Sequence, residues 1–142
     1  MNAIEFQLRA RQDLGGVEEV VPLIDGREFA DIVHEFERAN AMETRAVSYG
    51  GLIPEFYKFE PLDRHFLGAA ESVGTDGKVP VLGCECGEWG CWPLRVRIVV
   101  DAGNVVWSDF GQPFRETRDY SGLGPFVFDA GQYEKALRAL SR

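Results

Sequence analysis

The chain has 142 residues, 45% of them hydrophobic and 27% charged. That composition fits one globular domain over residues 1–142, able to bury a core without disulfides, and excludes an intrinsically disordered chain. Fifteen Lys plus Arg against 23 Asp plus Glu give a formal charge of −8, which disfavours nucleic acid and would attract a basic protein partner. The longest apolar runs fall short of a membrane span. The opening MNAIEFQLRAR has no apolar region of the signal-peptide kind, so a cytoplasmic protein with no membrane role is expected.

Ile4, Phe6 and Leu8 alternate with Glu5, Gln7 and Arg9, the period of a half-buried strand. Val20 to Ile24 reads as a second strand, placed at an edge because Pro22 has no amide to give to a ladder. Asp25 followed by Glu28 has capping-box spacing, and Phe29, Ile32, Val33 and Phe36 recur at helical intervals. Together they predict a helix from about Gly26 to Ala39 with acids opposite the stripe.

Residues 40–60 carry Gly50-Gly51 and Pro54 and read as an irregular but apolar loop. Pro61 suits the first turn of a short helix over 62–71, and Val79 to Leu82 predicts a strand. The clearest hairpin follows. Val96, Ile98 and Val100 alternate with Arg95 and Arg97, Asp101-Ala-Gly-Asn104 turns the chain, and Val105 to Phe110 returns. Gln112 to Pro125 reads as a loop and Phe126 to Phe128 as a short strand. Asp129 caps the last helix with Gln132 at the capping-box position, and Phe128 and Tyr133 occupy the staple positions. The sum is an α+β fold, a mostly antiparallel sheet with two or three helices packed on one face.

All three cysteines lie in GCECGEWGC, Gly83 to Cys91, spaced C-x-C-x4-C with glycines between. A structural zinc site takes four ligands, mainly thiolates and imidazoles. Cys84, Cys86 and Cys91 supply three, His65 is the best fourth candidate and His34 the next. The same spacing occurs in the post-SET zinc motif of lysine methyltransferases, where a distant cysteine completes the site. This chain has no fourth cysteine and no asparagine–histidine substrate motif, so only the idea of a distant ligand carries over. The same thiols predict a redox alternative, a Cys84–Cys91 or Cys86–Cys91 disulfide with a third thiol to resolve it. Glu85 and Glu88 stand against that, because adjacent acids raise a thiol pKa. The plainest reading makes the cysteines small buried hydrophobes in a turn.

The remaining candidates read first as structure. Trp89, Trp92 and Trp107 are core anchors before they are pocket walls. Asp109, Arg115, Glu116, Arg118, Asp119 and Tyr120 crowd the loops after the hairpin, either as an ion-pair network or as a small hydrolase site built on Asp109, Asp119 and Tyr120. Ser121 to Gly124 is a turn without the lysine of a phosphate loop.

The runs VPVLGCECGEWGCWPLRVRI, VVWSDFGQPFR and DYSGLGPFVFDAGQYEKAL resemble a group of small bacterial proteins of unknown function that carry a Cys-x-Cys-Gly-x-x-Gly-Cys knuckle. The resemblance covers the C-terminal half, implies a bacterial cytoplasmic origin and transfers no catalytic residue. The expectation is a non-enzymatic binding module, an immunity or antitoxin-like protein for a basic partner, whose knuckle is a rigid feature able to hold zinc. A thiol-dependent redox protein is the alternative.

Overall fold

The computed structural model describes residues 1–40, 42, 49–54, 62–68, 77–84, 93–112 and 118–140. The expected α+β class is present, with the strands divided between two antiparallel sheets. Strand β1 (Ile4–Arg11) pairs with β2 (Val17–Ile24) from Ile4↔Ile24 to Arg11↔Val17, and β3 (Arg27–Glu28) adds a two-residue edge. The second sheet runs β4 (Tyr49–Gly50), β5 (Val79–Cys84), β6 (Leu94–Asp101), β7 (Asn104–Gly111) and β8 (Phe126–Asp129), each strand beside the next.

Among the described residues a single bridge joins the sheets at each end. Asn2 pairs in parallel with Phe128 of β8, and Val20 of β2 pairs with Leu52 just after β4. The core therefore sits between two sheets tied at both margins. Among the described residues its largest buried side chains are Trp107, Tyr133, Phe6, Phe29, Phe66 and Phe128. Phe29 meets Trp107 edge-on with ring centroids 5.5 Å apart, a favoured aromatic geometry.

Helix α1 (Phe29–Ala39) begins three residues later than its sequence pattern suggests. Asp25 and Gly26 have φ of +53° and +82°, the left-handed pair of a tight turn that links β2 to β3. The Asp25 carboxylate accepts from the Ala3 amide and the Asn2 side chain, both at 2.8 Å, so it caps the N-terminal strand and not the helix. Glu28 takes the N-cap position without a side-chain bond to the helix amides.

Pro22 is not on an edge strand, since β2 lies between β1 and β3. The physical demand is met another way. Asp25 donates its amide towards β1 and Val20 donates its own away from β1, to Leu52 at 2.7 Å. By strand alternation Pro22 faces the same way as Val20, into the gap between Leu52 and the short β3, where no ladder bond is required.

Helix α2 (Leu62–His65) is shorter than the expected 62–71, whose last residues lie outside those described. Helix α3 (Ala130–Leu137) starts as its sequence says, with Asp129 accepting from the Gln132 amide at 2.9 Å. Phe128 and Tyr133 close the staple at a centroid distance of 5.5 Å. The Gln132 side chain does not complete a capping box. It pairs with the Ile4 backbone, accepting at 3.0 Å and donating at 2.6 Å, and so continues the β8–β1 seam where β8 has ended. Among the described residues no helix is long and apolar enough to cross a membrane.

Candidate functional site

The root of the cysteine knuckle is placed by β5. Cys84 is the last residue of that strand and stands directly opposite Tyr49 of β4. Cys86, Cys91, Trp89 and Trp92 lie outside the described residues. Leu52 and Ile53, from the apolar loop beside β4, are buried.

His65 ends α2 and is 1% exposed. Its Nε2 lies 2.7 Å from the Pro80 carbonyl oxygen. A carbonyl only accepts, so Nε2 carries the hydrogen and the ring is the neutral tautomer with its lone pair on Nδ1. Burial pushes its pKa down to about 4, against the opposing pull of the Pro80 carbonyl. His65 is thus tied to β5 through Nε2, the arrangement in which a metal-ligating histidine binds through its other ring nitrogen, here Nδ1. His34 is half-buried on α1. Among the described residues no three of His, Cys, Asp and Glu converge in a way that would hold a metal ion, and the knuckle's Cys86 and Cys91 are not among those residues.

The densest described chemistry surrounds Glu37, which is 4% exposed. One carboxylate oxygen, Oε2, accepts from Tyr120 Oη at 2.6 Å, Tyr49 Oη at 2.8 Å and Arg118 Nη1 at 3.0 Å. Gln112, itself buried, donates to Tyr49 Oη. Phe36 stacks on Tyr120 with centroids 5.9 Å apart. Four segments meet here: α1, β4, the residue after β7, and the loop that leads to β8. Burial, then Tyr120 and Glu37, pushes the Tyr49 hydroxyl above its ordinary range, and burial followed by Glu37 does the same to Tyr120. Both phenols stay protonated at neutral pH and can only donate to the carboxylate.

Glu37 was legible in part. It stands four residues after Val33 and eight after Phe29, on the buried stripe Phe29–Val33–Glu37, whereas charge alone assigns it to the solvent face. The three acid–base candidates do not act together. Tyr120 bonds Glu37, and Asp119 accepts from the Ser121 amide in a turn. Asp109 sits on a bulge of β7 at φ +59°, with Arg97 at 3.3 Å and Lys78 at 3.5 Å. Arg115 and Glu116 lie outside the described residues. Trp107 is core, its indole donating to Tyr133 Oη at 3.0 Å while that hydroxyl bonds the Phe66 carbonyl at 2.5 Å.

No protein-family model, curated protein or solved structure matches the chain.

Proposed function

We propose that the protein is a non-enzymatic binding module of the bacterial cytoplasm, an immunity or antitoxin-like protein that takes a basic protein partner on its acidic surface. The observation that carries this reading is the use made of Glu37. A buried carboxylate facing two phenols and a guanidinium is the one described arrangement with the makings of acid–base chemistry. Its acceptor oxygen is taken up by three donors that fasten α1, β4 and the 118–120 loop together. The buried hydroxyl of Tyr133 and the His65 ring are bonded to backbone carbonyls in the same way. The formal charge of −8 supplies the attraction, which steers a cationic partner and weakens with salt.

The knuckle belongs to this reading as a rigid turn in which the Cys84, Cys86 and Cys91 thiolates hold zinc, with His65 as the candidate fourth ligand. Metal content and free thiols, measured together on untagged protein, test that part. Near-stoichiometric zinc with thiols that react only after chelation supports it, and three freely titrating thiols without metal remove it. Affinity capture from the source cytosol across a salt series tests the module itself. A basic protein retained at low salt and released as salt rises supports the reading, and capture of nothing at any salt concentration overturns it.

A further inference from the structure

The outer face of the five-stranded sheet carries a row of three valines. Val99 of β6 stands opposite Val106 of β7, which stands opposite Val127 of β8. In an antiparallel sheet directly opposed residues share a face. Their strand neighbours Ile98, Trp107 and Phe128 point into the core, so the valines point out. Helix α3 lies on the inner side, where Tyr133 meets Trp107. Val99 remains 42% exposed.

The charges on β6 flank that row evenly. Arg97 lies two residues before Val99 and Asp101 two residues after it, each about 7 Å away along the strand. The order is cation, valine, anion. A two-fold axis running along the valine row, across the strands, reverses that order in a second copy. It would lay Val99 on Val99, and place each Arg97 against Asp101 of the second copy. We propose that this face is an isologous homodimer interface, the two outer faces packing about 10 Å apart as in a sandwich of sheets. Charge self-complementarity selects a second copy of this chain, because a two-fold interface must match its own reversed image.

Arg97 already meets Asp109 at 3.3 Å, and its side chain is 41% exposed. The valine row supplies the attraction and the paired ions fix the register. The inference is independent of the partner-binding reading: an empty capture experiment leaves it standing, and a strictly monomeric protein leaves that reading standing.

Sedimentation equilibrium of the full chain under reducing conditions, over micromolar to millimolar concentrations, reads the outcome. A concentration-dependent dimer is expected. Val99→Lys should weaken it at least about tenfold, as should Arg97→Glu and Asp101→Arg singly, while Arg97→Glu with Asp101→Arg restores it. Far-UV circular dichroism checks that each variant folds, and Asp101→Arg, exposed at the hairpin end, serves where Arg97→Glu disturbs folding. A monomer throughout, including one that associates only with another protein, overturns the proposal. So does a dimer indifferent to Val99→Lys and to the charge reversals.

Discussion

Gly51 approaches Val20 so closely that a Cβ on it would stand 2.1 Å from the Val20 carbonyl oxygen. Beside it, the Val20 amide donates to Leu52 at 2.7 Å. This contact ties the two sheets at one margin and positions β4, which carries Tyr49. No flexible side chain is available to yield, because the obstructing atom is backbone. Gly51→Ala is expected to destabilise the fold by at least about 2 kcal/mol, the scale of forced overpacking. A urea midpoint equal to that of the parent protein would show that the seam does not hold the sheets together.

Ala102 is in the left-handed region at φ +51°, with Gly103 at +81°. The two form the turn between β6 and β7, a type that favours Asn or Asp at its first position. A residue with a Cβ gives up about 1 kcal/mol there, less for Asn, whose side chain bonds locally. Ala102→Asn should stabilise the protein by about 0.5 kcal/mol and raise its thermal midpoint by a degree or two. A lowered midpoint would mean that the turn differs from the one described.

The hairpin and the last helix are readable from the sequence because their signals are local. Asp129, Phe128 and Tyr133 lie within six residues, and the β6–β7 turn within four. Asp25 misleads for a physical reason: Asp-Gly serves a left-handed turn as well as an N-cap, and a two-residue β3 has no period to betray it. The Glu37 cluster depends on partners 12, 81 and 83 positions away, beyond the reach of any spacing rule. His65 shows the limit for single residues. A buried histidine on a carbonyl and a metal ligand have the same sequence, and one ring can be both, with the carbonyl on one nitrogen and the metal on the other.

His65 also sets a pH dependence. Its folded pKa, about 4, lies below the value near 6.5 that histidine has in an unfolded chain. Between those values the unfolded state binds the extra proton, so stability is full above about pH 6.5 and falls as the pH drops towards 4. The shift amounts to on the order of 3 kcal/mol. Carboxylates titrate over part of the same range, so the comparison is with His65→Gln, which keeps a donor for Pro80. Urea midpoints at pH 7 and pH 4.5 should converge less in the parent than in the variant. Equal declines in both would place the acid sensitivity elsewhere.

The pair Glu37–Arg118 is the most informative place to measure coupling. Their side chains are 5% and 12% exposed and 3.0 Å apart. Removing one partner leaves the other charge in a poorly solvated site, at a cost of about 3 kcal/mol or more. Replacing both costs less than the sum, since neither charge is then stranded. Glu37→Gln and Arg118→Met should each lower the urea midpoint substantially, and the double variant should recover at least about 1 kcal/mol relative to additivity. Tyr49→Phe tests the same carboxylate through a neutral donor. It should cost about 1 kcal/mol, and it also leaves the Gln112 amide without its acceptor. Strict additivity across the Glu37–Arg118 cycle would mean that the two charges are screened by solvent. Glu37 would then be a surface acid in energetic terms, and the four segments would be held together by the Phe36–Tyr120 stack and the surrounding apolar core.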